Sequence, residues 1–152
     1  MLPYVAQGAA QAVEDAAVLG NVLSRITSKD DIHVALKAYE LARKERAEKV
    51  QSTAGYTRTI LHYPDGSDQV MRDKAFAAVA SGGQNPDMWG DPAAQRFLWS
   101  FDVEKDFDEN YECNRADGSR LTVAYMEEAR TGKKDTKRIK KFDFDLPSLS
   151  RL

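Results

Sequence analysis

Gly8-Ala9-Ala10, followed by Gln11-Ala12-Val13-Glu14-Asp15-Ala16-Ala17-Val18-Leu19-Gly20-Asn21-Val22-Leu23, constrains this chain more than any other stretch. The run predicts a helix from about Gly8 to Arg25. Because it opens on small residues, its first amide N–H groups are unobstructed. Those groups carry the positive end of the helix dipole and suit an anion or a polarised carbonyl. Its apolar positions, Val13, Ala16, Ala17, Leu19, Gly20, Val22, Leu23 and Ile26, surround most of the cylinder and are interrupted only by Gln11, Glu14, Asp15 and Asn21. A helix apolar nearly all round belongs inside a larger body of protein than this chain offers. The plain alternative is a core helix with no ligand.

The remaining sequence reads as further helices. Ser28, with Asp31 three residues on, caps a second helix running to about Gln51 or Ser52, with Ile32, Leu36, Tyr39, Ala42 and Val50 as its inward stripe. Glu40/Lys44 and Glu45/Lys49 stand four apart in the favourable order and read as a solvated face; Arg43, Lys44, Arg46 and Lys49 on it could contact a partner or a cofactor phosphate, but the interleaved glutamates argue against a dedicated anion site. Pro64-Asp65-Gly66 is a turn. A third helix is expected over Asp68 to Ala80, closed by Gly82-Gly83. Asp91 before Pro92 marks the cap of a short helix through Phe101, with Phe97, Leu98 and Phe101 turned inward. His62, beside the turn, reads as a hydrogen-bonded structural residue, and His33, within the second helix, has even less to recommend it as a functional one. The expected class is mainly α, with little or no sheet.

Composition bounds the partners. The 152 residues are 42% hydrophobic and 30% charged with a net charge of −2, so nothing global favours nucleic acid or an anionic membrane. No apolar run approaches the roughly 20 residues that cross a bilayer. Cys113 is the single cysteine; it has no metal-spaced partners, which leaves no metal site to expect and fits a reducing, cytoplasmic setting. Residues 111–152 look different from the rest: Asn114 to Ser119 could turn a hairpin into Leu121 to Tyr125, and Met126 to Arg130 prefers helix. The lysines and arginine at 133, 134, 137, 138, 140 and 141 form a basic cluster within this weakly structured tail. A solvated tail is the economical reading and a nucleic-acid patch the alternative.

Pro3-x-x-x-Gln7-Gly8-Ala9-x-x-Ala12-x-Glu14-Asp15-Ala16-x-x-Leu19 resembles the second flavin-binding motif of FAD-dependent aromatic-ring monooxygenases, the group that includes salicylate hydroxylase. The likeness continues through Tyr39-Glu40-x-x-Arg43-x-x-Arg46-Ala47 and Leu61-His62-x-x-Asp65-Gly66-x-x-Gln69-x-x-Arg72-Asp73. A looser block follows in Trp89-x-Asp91-Pro92 and Gln95-x-x-Leu98-Trp99-x-Phe101-Asp102, so the likeness covers about residues 1–110. It implies the helical C-terminal portion of an α/β, glutathione-reductase-like FAD-binding fold. The preceding Gly-Asp-Ala-x-His-Pro half of the motif is absent, and no G-x-G-x-x-G occurs in the chain. Met1 stands where the family carries a methionine inside the motif, which implies a start within a longer protein's sequence.

The resemblance also implies a chemistry. FAD would rest its pyrimidine edge on the amides at Gly8, Ala9 and Ala10, with Gln7 beside them, and Pro3 would wall the place where aromatic substrate and oxygen meet. Negative charge gathers at that edge on reduction by NADH or NADPH, and fixed amide dipoles stabilise it. Glu14 and Asp15 match the family's acidic pair and are assigned to helix-end electrostatics and loop anchoring. Adjacent carboxylates on a helix are not expected to face one substrate together. The expected function is that of a monooxygenase fragment without catalysis of its own. The alternative is a small helical interaction protein that associates through the first helix, motivated by the apolar face a missing domain would leave.

Overall fold

The computed structural model describes residues 1–106 and 131–132. They include the helices α1 (Gly8–Leu23), α2 (Ile32–Leu61), α3 (Ser67–Val79) and α4 (Pro92–Trp99), with 3-10 turns at Pro3–Val5 and Lys29–Asp31, and residues 103–106 and 131 are helical as well. No strand occurs among the described residues. The mainly α class therefore holds. Cys113, the hairpin and helix expected within 114–130, the basic cluster of 133–141 and nearly all of the 111–152 tail lie outside the described residues. No described helix is long and apolar enough to cross a membrane.

The chain divides into two compact units. One holds Ala9–Ala47 together with residues 102–106. In it, Val18 and Val22 of α1 pack on Val34, Ala35 and Ala38 of α2, flanked by Leu19, Ile26, Tyr39, Leu41, Ala42 and Val103. Ser28 caps the entry to α2 as its type foretells, accepting from the Asp30 amide, but through a 3-10 turn before the α-helix begins. The inward stripe differs from the expected one. Ile32 and Leu36 are exposed, while Val34, Ala35 and Ala38 turn inside. Small residues let two helix backbones approach closely, and the face carrying Ala35 and Ala38 is continuous at helical spacing with Arg43 and Arg46.

The other unit holds Met1–Gly8 and Glu48–Phe101. Here α2 continues nine residues past the expected end at Ser52. Ser52, Thr53, Gly55, Thr57 and Thr59 are poor helix formers, which is why the sequence reads as a break there. Packing overrides propensity: Val50 and Ala54 join Val5 and Leu98 in one cluster, and Tyr56 and Ile60 join Met88 and Ala94 in another. The hydroxyls of Ser52, Thr53 and Thr59 are satisfied by the carbonyls four residues back. The Tyr56 hydroxyl is buried without a partner, and burial raises its pKa above the usual tyrosine value. Arg72 of α3 donates to the Ile60 carbonyl at 2.9 Å, placing a cation at the negative end of α2.

Two breakers act as their chemistry dictates. Gly82 (φ 89°) lies in the left-handed region, and the Gly83 amide reaches back to the Ala78 carbonyl at 2.9 Å, where a side chain at 83 would collide with Ala78. Asp91, itself buried, accepts from the amides of Ala93 (2.9 Å) and Ala94 (2.8 Å), and Pro92 supplies the first residue of α4. That helix ends at Trp99 rather than Phe101; of its three expected inward residues Leu98 is buried, while Phe97 and Phe101 are half-buried. Asp91→Ala should lower stability by about 1–2 kcal/mol in urea unfolding, with Asp91→Asn recovering most of it. Equal loss in both would refute the cap.

Candidate functional site

The approach to α1 is built from a strained turn. Pro3 fixes the first dihedral of the 3-10 turn, Val5 is wholly buried and anchors it, and the Ala6 amide returns to the Pro3 carbonyl at 3.1 Å. Ala6 takes φ 47°, the one left-handed non-glycine among the described residues. A side chain there costs about 1–2 kcal/mol, strain of the kind that persists where surrounding contacts impose it. Tyr4 supplies such a contact. Its hydroxyl shares a 2.7 Å hydrogen bond with His62 Nε2, and the rings meet edge to face at 5.5 Å. The structural reading of His62 is thereby met, and His33 is exposed on α2.

Each residue singled out at the helix start can now be placed. Pro3 is exposed on the turn, and Gly8 and Ala9 are exposed at the first turn of α1, with Ala10 half-buried. No acidic residue stands in that first turn, and among the described residues no side chain caps the amides of Gly8, Ala9 or Ala10. A Cβ on Gly8 would touch nothing within 4 Å, and Gly8 is not a positive-φ glycine. Neither backbone conformation nor packing among the described residues demands a glycine there. Gln7 is different: it is 1% exposed, and neither its Nε2 nor its Oε1 has a partner among the described residues. A buried amide without partners costs more than one left in water, so its place calls for a reason beyond packing.

Three to seven residues further along α1 the structure departs from the sequence reading. Arg43 and Arg46, expected on a solvated face, are 3% and 1% exposed. The Arg43 Nε–H donates to Asp15 Oδ1 at 2.7 Å, while its Nη2 donates to Gln11 Oε1 at 2.8 Å and lies 2.8 Å from Glu14 Oε2. Arg46 grips Glu14 with two parallel bonds, Nε to Oε2 at 2.7 Å and Nη2 to Oε1 at 2.8 Å. Gln11 Nε2 adds a bond to Glu14 Oε1 at 3.2 Å. Two carboxylates balance two guanidiniums, which is how buried charge is tolerated. The adjacent carboxylates Glu14 and Asp15 do converge on one group, Arg43, because a guanidinium offers donors on two edges. Among the described residues both carboxylates bind arginines of α2. Burial, then the Asp15 charge, raises the pKa of neighbouring Tyr39.

Sequence reasoning missed the arginines because the lysines and glutamates interleaved with them are exposed. Glu40 and Lys44 form one of the two expected surface pairs, and Lys37, which the sequence reading did not include, joins them and lowers the Glu40 pKa. The available signal was the three-residue spacing of Arg43 and Arg46, which puts both on one helical face, together with a matching acidic pair on the preceding helix.

An FAD-dependent monooxygenase of an Arthrinium species is 42% identical over 103 residues, covering 68% of this chain and 24% of the relative. An FAD-dependent monooxygenase of a Nectria species is 36% identical over 105 residues, 69% of this chain and 24% of the relative. A 3-amino-4-hydroxybenzoate 2-monooxygenase of Streptomyces platensis is 39% identical over 76 residues, 50% of this chain and 19% of the relative. No family model matches the chain. The chain is a partial match to FAD-dependent monooxygenases, as the sequence blocks imply, and it spans about a quarter of the length of the curated relatives it matches.

Arg46→Met should destabilise the chain by about 3 kcal/mol, because it takes the two-pronged partner from the largely buried Glu14 carboxylate and leaves it only Arg43 and Gln11. Glu14→Leu combined with Arg46→Met removes both charges and leaves Arg43 its bonds to Asp15 and Gln11, so stability should return to near the starting value. Thermal unfolding of the single and double variants checks this. A double variant no better than the single one would show that the ion pair is not what the single change breaks.

Proposed function

We propose that this chain supplies the flavin-facing helix of an FAD-dependent aromatic monooxygenase and that it does not catalyse alone. The observation that carries the reading is the opening of α1: amides uncapped among the described residues, no acid in the first turn, and a glycine that the described residues do not require. The residues fit the group. Gly8, Ala9 and Ala10 would present N–H groups to the pyrimidine edge of the isoalloxazine, and Gln7, buried with both polar atoms unpartnered, would add an amide that can donate and accept. Pro3, with no N–H and a fixed dihedral, would form a rigid wall beside the ring. When bound, FAD would supply the redox chemistry, taking a hydride from NADH or NADPH and activating oxygen for hydroxylation of an aromatic ring.

This chain's own work in that reading is orientation. Amide dipoles held by a helix need no rearrangement when charge develops opposite them, so they favour the charged form of what they touch. The aromatic substrate class is supported by the relative that the comparison names as a hydroxybenzoate monooxygenase. The reading of no independent turnover is supported by the lack of a G-x-G-x-x-G anywhere in the sequence.

The test uses the chain itself. Desalted after incubation with FAD, it should retain no flavin absorbance, and NADPH should be oxidised no faster than in a blank. In an ¹⁵N-resolved titration with millimolar riboflavin 5′-phosphate, the amides of Gly8, Ala9 and Ala10 should shift. Gly8→Val should abolish those shifts while changing stability by no more than about 1 kcal/mol, since a side chain there meets open space. Shifts confined to other residues, or unaffected by Gly8→Val, would refute the site.

A second reading, association through α1, is favoured by one observation. Val13 is 70% exposed and Leu23 38%, and Ala9, Ala12, Ala16 and Gly20 are exposed on the same helix. Light scattering should then show concentration-dependent association that Val13→Asp reverses. A monomer at all concentrations would count against it.

A further inference from the structure

We infer that Arg43 and Arg46 are positioning residues for the flavin contact: their buried grip on Gln11, Glu14 and Asp15 sets the rotation and height of the first turns of α1. The inference rests on the reading of the α1 opening given above.

The argument begins with where the polar and apolar contacts fall along α1. Its later half meets α2 through Val18 and Val22 against Val34, Ala35 and Ala38. Hydrophobic contact among small aliphatic side chains is non-directional, so it favours burial without strongly preferring one rotation or one height over its neighbours. The earlier half meets α2 through charge-assisted hydrogen bonds of 2.7 to 2.8 Å, one pair of them bidentate. Those bonds lose strength steeply with distance and angle. Rotating α1 by one residue, about 100°, would break all of them.

Their location is the second step. At about 1.5 Å per residue, Gln11 to Asp15 lie roughly 5–10 Å beyond Gly8, whereas Val18 and Val22 lie roughly 15–20 Å beyond it. The directional contacts stand next to the opening, and the non-directional ones stand away from it. Buried ion pairs are no better for stability than apolar side chains of the same volume, so stability alone does not explain them here. A requirement for exact orientation does.

Charge is the third step. Glu14 and Asp15 bring two negative groups into the second turn of a helix whose positive end is the proposed contact. The arginines cancel them at distances of 2.7 to 2.8 Å, so the amides at the opening keep their favourable potential for a partner that gains negative charge.

The test separates position from folding. Arg46→Lys keeps the charge and loses the two-pronged geometry, and the Glu14→Leu/Arg46→Met pair removes the charges while keeping a packed interior. Riboflavin 5′-phosphate is titrated into the unmodified chain and both variants, following the Gly8, Ala9 and Ala10 amides, alongside hydrogen exchange along α1 and thermal unfolding. Both variants should unfold cooperatively yet bind the probe about tenfold or more weaker, because small misplacements of a contact group are costly. Exchange should quicken at residues 12–15 and stay unchanged at residues 18–22. A stable double variant that binds within about twofold of the unmodified chain would overturn the inference, as would exchange that quickens evenly along α1. If the unmodified chain's own amides at 8–10 do not move, the functional reading fails, and the inference falls with it.

Discussion

Two guanidinium groups taken out of water decide how the first helix of this protein is held. Arg43 and Arg46 are nearly inaccessible, and removing ions from water is among the most costly steps in folding. They are tolerated because α1 delivers two carboxylates and an amide to them at hydrogen-bonding distance. The cost and the compensation lie on different helices, so neither arrangement is acceptable without the other. This makes the pairing of α1 with α2 specific in a way that the alanine and valine contacts beside it cannot be.

That specificity bears on the opening of α1. A helix start becomes useful to a ligand only if its amides are both unfilled and fixed. The first condition is met by residue choice: small side chains at Gly8, Ala9 and Ala10, and no acid in the first turn. The second cannot be met by those residues, because they contact little. In the reading proposed above it is met one to two turns further along, by the grip of Arg43 and Arg46 on Gln11, Glu14 and Asp15. Division of this kind is common where contact groups must be small: the atoms that face the partner lack the bulk to position themselves, so neighbours do it.

Much of this was legible in the sequence, and the misses share a cause. The helix starts at Gly8, Ser28 and Asp91 and the breaks at Pro64 and Gly82 were readable because capping and turn chemistry act over three or four residues. The end of α2 was not. Gly55 and its neighbouring threonines are locally unfavourable, and only contacts with Val5, Met88 and Leu98, remote in sequence, keep the helix going. Arg43 and Arg46 fell to the same difficulty. An arginine on a helix full of lysine and glutamate looks solvated until the acidic partner 28 to 32 residues away is known to face it. Ile32 and Leu36 erred in the opposite sense, since an apolar residue at the right spacing stays exposed when the adjoining face packs better.

The turn before α1 sharpens the contrast between what a chain prefers and what it is made to do. Ala6 occupies a conformation that a glycine would adopt freely, yet the residue is an alanine. Left to itself, the segment Leu2 to Gln7 would relax. It is prevented by Val5, buried against Val50, Ala54 and Leu98, and by Tyr4, bonded to His62. Gln7 follows directly, its amide driven into a buried place without a partner. Strain at residue 6 and an amide at residue 7 unmet among the described residues are two unfavourable terms in succession, immediately before the start of α1; both persist because the packing of Val5 and the bond of Tyr4 over-determine the turn.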